Sequence, residues 1–311
     1  PYPFGYYNQL SKKSVKEIRS LKPDGVWVIG DCLSVALNQF IDYKLVMTMP
    51  DCVPLYYHRL MGDRYLWNSW IRLIGNCDQY YKNLRMEREY PVKKNITYHF
   101  VGDEDKLFFN KINPNADAVF IRHPHYNFVA GRKIKFSRPQ IKILIAGKYN
   151  LYMKSSFDEL LPQLCAAKEL ASYYTITFLG KGWDFAVEKL SQSGFVSRRL
   201  DYVESYSQEI SKYDIQLTPI SIGTGTKGKV LDALANGLLV IGTSYAVENI
   251  AISNNKSCIV YDNVQSLLTI LRDIPNNRGR YEEMAEAGRR NVLTFHDRSK
   301  VSSQLFSLFS K

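Results

Sequence analysis

The stretch best suited to chemistry is a glycine-rich loop that leads into a short helical pattern. Gly223 and Gly225 let the backbone turn sharply and come close to a ligand. The helix predicted to begin near Lys227 offers unpaired N–H groups and a positive dipole end, which suit a phosphate. Lys229 and Asp232 are three positions apart on one helical face, so a cation and a carboxylate could meet a nucleotide's phosphate and ribose. Taken alone, such a loop also fits a turn without a ligand.

Two further cations follow the predicted strand Ile141–Ala146, namely Lys148, directly after Gly147, and Lys154. Ligands of open α/β sheets bind at the carboxyl ends of the strands. Two lysines at such an end could therefore neutralise a departing diphosphate. The alternative is a pair of solvated loop lysines.

The elements that position these residues are strands alternating with helices. In the second half, strands are predicted at Ile141–Ala146, Thr175–Leu179, Phe195–Arg198, Ile215–Thr218, Leu238–Thr243 and Cys258–Tyr261, with helices between them. This alternation predicts a parallel sheet wound on both faces. The first half shows shorter apolar runs of the same kind, and Arg122–Pro139, with Pro, Gly and a basic cluster, is the candidate linker. The sequence predicts two α/β domains with a cleft between them.

The segment Pro219–Ile250 resembles the donor-site motif of retaining glycosyltransferases of family four, which have the GT-B architecture. The counterparts of that motif are Gly223, Gly225, Lys229-Val230-Leu231-Asp232-Ala233-Leu234-Ala235, Gly237, Thr243 and Glu248-Asn249-Ile250. The resemblance implies two Rossmann-like domains that face a central cleft. They are expected at residues 1–136, on the acceptor side, and 137–290, which would bind the nucleotide sugar. Residues 291–311 are expected to form a helix that packs back on the N-terminal domain.

The resemblance also implies roles for single residues. Donor contacts are expected from Gly147, Tyr202, Gly223, Thr224, Gly225, Thr226, Lys229, Val230 and Asp232, and catalytic contacts from Lys148, Lys154 and Asp51. Asp232 replaces the second glutamate of the family and would hydrogen-bond the ribose hydroxyls. Thr224 replaces the first glutamate and is not acidic, so loop backbone groups are expected to take over its contacts to the donor sugar. Tyr202 either stacks on the base or lies in a plain surface loop.

The first half departs further from the family. The run Met49-Pro50-Asp51 lacks the family's histidine, and Asp51 either contacts the donor sugar or acceptor hydroxyl, or caps a turn. His123 and His125 flank a proline after a predicted strand. One of them could contact the sugar or an acceptor phosphate, or the run could be a rigid connection. Two histidines without carboxylates are too few ligands for a metal, so no metal site is expected.

An aromatic and basic helical stretch, Tyr65–Glu89, interleaves rings with cations. The side chains concerned are Arg64, Trp67, Trp70, Arg72, Tyr80, Tyr81, Lys82, Arg85 and Arg88. This pattern suits the headgroup region of an anionic membrane, where a lipid-linked diphosphate saccharide would be the acceptor. The alternative is a helix with aromatic core contacts and a basic outer face.

Composition sets limits on partners and compartment. The 311 residues carry a net charge of +11, which indicates an anionic partner without naming it. The five cysteines form no Cys-x-x-Cys pair, which argues against disulfides and structural zinc and favours a cytoplasmic protein. No apolar run approaches the roughly 20 residues that cross a bilayer. The chain opens at Pro1, and we expect further residues before it.

These observations predict a glycosyltransferase that uses a nucleotide sugar as substrate and needs no cofactor. The resemblance implies retaining, metal-independent transfer to a glycan or lipid-linked saccharide, in bacterial surface polysaccharide synthesis, at the inner face of the cell membrane. A basic nucleic-acid-binding protein is one alternative; it explains the charge but not the glycine loop. A nucleotide-sugar epimerase of the same architecture is another.

Overall fold

The computed structural model describes residues 1–63 and 69–310. The chain forms two compact units. The first comprises Pro1–His123, Thr224–Thr226 and Arg298–Lys311, and the second comprises Pro124–Gly223 and Lys227–Asp297. Both units are α/β, and the paired strands of both sheets run parallel.

The first unit is built on a four-stranded sheet in the order β1-β2-β3-β4. Its strands are β1 Gly25–Ile29, β2 Lys44–Met49, β3 Ile96–Phe100 and β4 Ala118–Phe120. Its helices are α1 Lys12–Ser20, α2 Ala36–Gln39, α3 Val53–Met61, α4 Trp70–Arg88, α5 Asp103–Ile112 and α13 Arg298–Ser307. Aromatic rings pack in the core, and the rings of Tyr98 and Phe100 lie 5.2 and 5.0 Å from that of Phe109, each tilted by 44°. On another face of the sheet, Val301 of α13 and Leu308 pack with Val46.

The second unit has a six-stranded sheet in the order β10-β9-β8-β5-β6-β7. The strands are β5 Ile141–Ala146, β6 Tyr174–Leu179, β7 Val196–Leu200, β8 Ile215–Thr218, β9 Leu239–Gly242 and β10 Ile259–Val260. Numbered from β5, this is the 3-2-1-4-5-6 order of a Rossmann fold, in which the chain reverses direction across the sheet between β5 and β8. The predicted α/β class is confirmed, and this sheet has the strand order of a Rossmann-like domain.

Helices cover both faces of this sheet. They are α6 Leu151–Ala166, α7 Asp184–Gln192, α8 Tyr206–Ile210, α9 Gly228–Ala235, α10 Ser244–Val247, α11 Val264–Asp273 and α12 Arg278–Phe295. On one face, Phe157 and Phe178 pack against Trp183 with ring centres 4.7 and 4.8 Å away. On the other face α9 packs with Val230, Leu231 and Leu234 in the core, while Lys229 in its first turn is exposed. Within the described residues, none of the helices combines the length and apolar character that crossing a bilayer needs.

The C-terminal end of α9 is fixed by the predicted linker. Arg132 Nη1 donates to Asn236 O and its Nη2 to Tyr213 O, both at 2.5 Å. The backbone N–H of Val129 donates to Asn236 Oδ1 at 2.9 Å. Carbonyls at a helix end have no partner within the helix, and a cation that binds them also favours the dipole. The basic cluster of the linker is therefore part of the packed structure.

Two predicted elements overlap the observed ones in part. Of the predicted helix Tyr65–Glu89, Trp70–Arg88 is observed, and residues 64–68, which include Arg64, Tyr65 and Trp67, lie outside the described residues. Strand β7, predicted at Phe195–Arg198, is observed at Val196–Leu200 and therefore includes Arg199. Polar side chains are tolerated there because β7 is the edge strand of the sheet.

Candidate functional site

The loops that follow β5, β8 and β9 meet at the carboxyl end of the second unit's sheet, where its strand order reverses. The N–H of Ser221, after β8, donates to Tyr152 O at 2.8 Å, which ties this loop to the start of α6. Thr243, after β9, donates its hydroxyl to Ile220 O at 2.5 Å. Crevices at such reversal points are where α/β sheets bind their ligands.

The turn after β5 is held in place by its neighbours on β6. Gly147 N–H donates to Leu179 O at 2.9 Å, and Trp183 Nε1 donates to Gly147 O at 2.7 Å. Gly180 has φ +141°, and a Cβ there would lie 2.5 Å from Gly147 O. The close approach of the two turns therefore requires glycine, and it fixes the backbone from which the exposed side chain of Lys148 extends.

Lys154, predicted beside Lys148 at the diphosphate, already has one partner on its own helix and one in the turn before it. Its Nζ donates to Tyr149 Oη at 2.9 Å and lies 3.3 Å from Asp158 Oδ2. The hydrogen bond with Tyr149 raises the pKa of Lys154. The cation is thus part of a local Lys–Tyr–Asp cluster, and its charge is shared with a carboxylate.

Helix α9 brings Lys229 and Asp232 together with a tyrosine that the sequence did not single out. The Lys229 ammonium lies 5.6 Å from the ring centre of Tyr206. Asp232 is only 7% exposed, and its Oδ1 accepts from the N–H of Tyr126 at 3.3 Å. Burial raises the pKa of Asp232 to about 6, opposed by the Tyr126 N–H and the charge of Lys229. A carboxyl with a raised pKa beside a cation is a common feature of functional sites.

Two buried polar atoms near α9 have no hydrogen-bond partner among the described residues: the Tyr206 hydroxyl and Gln216 Oε1. Burial, followed by the nearby charge of Asp232, raises the pKa of Tyr206. Gln216 is fully buried in β8, and its Nε2 donates to the α9 carbonyl of Lys229 at 3.3 Å. An unpaired buried polar atom is costly and therefore rare in native structures. A glutamine inside an otherwise apolar central strand is the sequence signal that could have identified this position.

Val230, for which a donor contact is expected, lies on the inner side of α9. Its side chain is completely buried in the core of the second unit. Its contribution is packing that fixes α9, so only its backbone is available to a ligand.

The tip of the glycine-rich loop, Thr224–Thr226, belongs to the first unit. There the N–H of Gly225 donates to Asp105 Oδ2 at 2.9 Å, and Thr226 Oγ1 donates to Val101 O at 2.8 Å. Gly225 has φ +62°, and a Cβ would lie 2.5 Å from Asp51 Oδ1. The predicted residues Asp51 and Gly225 are thus direct neighbours, whereas Asp105 was missed.

Asp103 and Asp105 form an Asp-x-Asp run, the spacing of a metal motif that a metal-independent transferase should lack. Asp105 is fully buried, and its Oδ1 accepts from Cys52 N at 2.8 Å while its Oδ2 accepts from Gly225. Both oxygens are therefore used by backbone donors. Among residues 1–63 and 69–310, no cluster of three or more His, Cys, Asp or Glu side chains is arranged to hold a metal ion.

The histidines and Tyr202 are placed differently from one another. His125 is buried; its N–H donates to His296 O at 2.9 Å, and its Nδ1 lies 3.1 Å from Tyr126 O, so it fixes the segment that leads to Asp232. His123 is half-buried in the first unit, and its proximity adds to the burial that lowers the pKa of His99. Tyr202 is 82% exposed in the loop after β7, accessible to a ligand but not held by the fold.

Comparison with known proteins gives a consistent assignment. Residues 159–307 match the family described as Glycosyl transferase-like. No curated protein sequence matches the chain.

Among solved structures, sucrose-phosphate synthase from Thermosynechococcus elongatus is similar with a TM-score of 0.72 at 10% identity, over 96% of this chain and 77% of that one. Alr3699/HepE from Anabaena is similar with a TM-score of 0.68 at 12% identity, over 95% of this chain and 81% of that one. WaaG, a glycosyltransferase involved in lipopolysaccharide biosynthesis, has a TM-score of 0.63 at 14% identity, over 95% of this chain and 80% of that one.

At these identities the structural similarities establish the fold, which is that of GT-B glycosyltransferases with two Rossmann-like domains. The family match and the fold together support a glycosyltransferase enzyme.

Proposed function

We propose that this protein transfers a sugar from a nucleotide-sugar donor to a saccharide acceptor, and that the donor binds around α9 and the loops after β5 and β8. The observation that carries the proposal is the grouping of Lys229, the buried Asp232 and the unpartnered Tyr206 hydroxyl at the reversal point of the sheet. Structures of Alr3699/HepE in complex with UDP and with UDP-glucose support a uridine nucleotide as the first donor to test.

The proposed roles follow from charge and position. The ammonium groups of Lys148 and Lys229, with the N–H groups at the start of α9, bind the diphosphate. Asp232, ionised above its pKa of about 6, accepts hydrogen bonds from the ribose hydroxyls. Lys154 supplies a weaker field because Asp158 shares its charge. Asp51, beside Gly225 at the loop tip, is the carboxylate proposed to contact the donor sugar.

We propose retaining, metal-independent chemistry, as the resemblance to family four implies. The bond between the anomeric carbon and the diphosphate oxygen breaks, and its electron pair leaves with the diphosphate, whose charge the lysines stabilise. The acceptor oxygen bonds to the same face of the sugar, and its proton passes to the departing phosphate oxygen. NMR of the product should show the anomeric configuration of the donor, and turnover should survive EDTA.

Calorimetry with UDP, and turnover of UDP-glucose, test the donor site. Because one charge-assisted phosphate contact supplies about 2–4 kcal/mol of transition-state stabilisation, Lys148→Ala and Lys229→Ala should each lower turnover by roughly 30- to 1,000-fold. Lys189→Ala, an exposed lysine on α7, is the matched control and should behave like the wild type. Full turnover in both site variants would refute the assignment.

The same assays separate the alternatives. An epimerase would change the sugar of UDP-glucose when no acceptor is present. A nucleic-acid-binding protein would show salt-dependent binding to DNA or RNA and no stabilisation by UDP.

We further propose a role in bacterial polysaccharide assembly at a membrane surface. WaaG, which acts in lipopolysaccharide biosynthesis, supports the pathway. The first turns of α4 support the surface, since Trp70, Ile71 and Ile74 are 78%, 85% and 67% exposed. Exposed aromatic and aliphatic side chains on a helix suit the headgroup region of a bilayer.

The basic face of α4 contributes less charge than the sequence indicated. Lys82 lies 2.5 Å from Asp78, and Arg85 lies 3.1 Å from Glu89. Insertion of the apolar tip should therefore dominate. Sedimentation with phosphatidylglycerol vesicles should show binding that Ile71→Asp removes and that Leu107→Asp, on the exposed side of α5, leaves intact. Equal binding by the two variants would contradict the proposed surface.

A further inference from the structure

A basic cavity of about 420 Å³ lies on the second unit's sheet, far from the carboxyl-edge loops. Its walls include three cationic side chains and three hydroxyls, from Lys142, Arg198, Lys212, Thr175, Thr177 and Tyr213. None of these side chains belongs to the proposed donor site.

The cavity exists because helices do not cover this part of the sheet. In a parallel sheet that is buried on both faces, the strands are continuous runs of apolar residues. Here β6 places Thr175 and Thr177 on one face, and Arg198 follows the same pattern on β7. Helix α8, which follows β7, is only five residues long, so the amino-terminal rows of β5, β6 and β7 stay open.

The strand register places a cation on each side of the cavity. Lys142 on β5 pairs with Thr175, and Thr177 in turn pairs with Arg198 on β7. Strands lie about 4.8 Å apart and Arg198 is offset by two residues from the row of Lys142, so the backbones that carry the two cations lie roughly 12 Å apart, with the threonines of β6 between them. Two long cationic side chains at that spacing can close on one phosphate group.

Arg198 is pre-organised by two hydroxyl groups and interacts electrostatically with nearby Glu209. Its Nε donates to Thr177 Oγ1 and its Nη2 to Tyr213 Oη, both at 3.3 Å. Within the described chain Arg198 makes no ion pair, whereas Lys212 is paired with Glu209 at 2.5 Å. A guanidinium has five N–H donors, so three remain for a ligand.

We infer that this cavity binds a small phosphorylated polyol, with a sugar monophosphate as the fitting size class. Its volume would hold about a dozen waters, which suits a compact molecule better than a polymer. A phosphate monoester carries roughly −1.5 to −2 charges at pH 7, which suits the cations Arg198 and Lys142. The hydroxyl of Thr175 offers a partner for the hydroxyls of the polyol.

The site is separate from the donor site. Lys142 lies near the start of β5, five residues before Gly147, which directly follows the end of that strand. At 3.3 Å per residue the two positions are about 16 Å apart. A ligand here would contact β7 and the residues after α8, on either side of the loop that carries Tyr202.

Isothermal titration calorimetry with glucose 6-phosphate, inorganic phosphate and glucose tests the inference. We expect glucose 6-phosphate to bind the wild type more tightly than phosphate does, and glucose not to bind. Lys142→Gln/Arg198→Gln should weaken binding at least about tenfold, since each lost charge-assisted contact is worth 1.4 kcal/mol or more. If the double variant unfolds, the single variant Lys142→Gln replaces it, because Lys142 is exposed and its substitution should leave the fold intact. It too should bind glucose 6-phosphate more weakly than the wild type does.

The controls exclude the donor site as the source of binding. Lys148→Ala and Lys189→Gln should both bind glucose 6-phosphate like the wild type, whether or not the proposed transferase activity is found. Three results would overturn the inference: no binding to the wild type at about 10 mM probe, unchanged binding by the cavity variants, or loss of binding in Lys148→Ala. Phosphate binding as tight as that of glucose 6-phosphate would overturn the polyol class.

Discussion

Replacing Asp232 by Asn should make the protein more stable while weakening its hold on the nucleotide. Burial raises the pKa of Asp232 from 3.8 to about 6, so the ionised group destabilises the folded state. A difference of roughly two pKa units corresponds to at most about 3 kcal/mol at pH 8, which partial solvent screening reduces to about 1–2 kcal/mol. Asn keeps the oxygen that accepts from Tyr126 and lacks the charge.

The sign of the pH dependence follows from the direction of the shift. Because the folded pKa is raised, the destabilisation by Asp232 is absent below pH 4, builds between pH 4 and 6, and is complete above pH 6. The gain from Asn should therefore be greatest at pH 8 and fall to roughly half by pH 5. At about 2–4 °C per kcal/mol, the melting temperature should rise by roughly 2–8 °C at pH 8.

Thermal melts at pH 5 and pH 8 and UDP titrations over the same range provide the measurement. The UDP phosphates titrate too, but equally for both proteins, so the ratio of their affinities isolates Asp232. That ratio should grow about tenfold from pH 5 to pH 7 as the carboxylate ionises. A lower melting temperature for the Asn variant at pH 8, or a ratio independent of pH, would show that Asp232 is not a strained ligand-binding carboxylate.

Three further substitutions have defined outcomes. Gly225→Ala should lower the free energy of unfolding by about 1–3 kcal/mol in a denaturant titration, because its φ is +62° and the new Cβ would meet Asp51. The control, Gly279→Ala in the open first turn of α12, should leave this free energy unchanged or raise it. Trp183→Phe removes the bond to Gly147 O and should cost about 1–3 kcal/mol, with weaker UDP binding as the second readout. Burial raises the pKa of Glu87 to about 8, so melts of Glu87→Gln should show a stability gain that grows from pH 5 to pH 8; a gain that shrinks with pH would contradict the shift.

The central strands of the second unit could be predicted because nearly all of their residues are buried. Ile141–Ala146 and Ile215–Thr218 were predicted at their observed bounds, since each is a short run containing apolar residues and ended by a turn signal. The edge strand β7 could not be delimited in the same way, because one of its faces is polar. Helix α3, Val53–Met61, was missed although Pro54 in its first turn and Gly62 after its last residue are ordinary start and stop signals.

Polar residues of the candidate site could be predicted where they lie on a helix or strand, and less well where they lie in loops or act through the backbone. Lys229 and Asp232 share a face because helical periodicity places them there, and the structure keeps them together. Asp105 was missed because its partner, the N–H of Gly225, is 120 positions away in the chain, and such pairing leaves no local signal. Tyr126 was missed for the same reason, since it contacts Asp232 through its backbone.

The distribution of unsatisfied groups supports the location of the site independently of the resemblance. In the described chain three buried side-chain atoms lack a hydrogen-bond partner, and two of them, on Tyr206 and Gln216, lie near α9. The buried Asp232, with its raised pKa, lies beside Tyr206. A fold selected only for stability would pair or remove such groups, because each costs about 1–3 kcal/mol. Their concentration on α8, α9 and β8 is expected where polar atoms are reserved for a ligand, at the expense of stability.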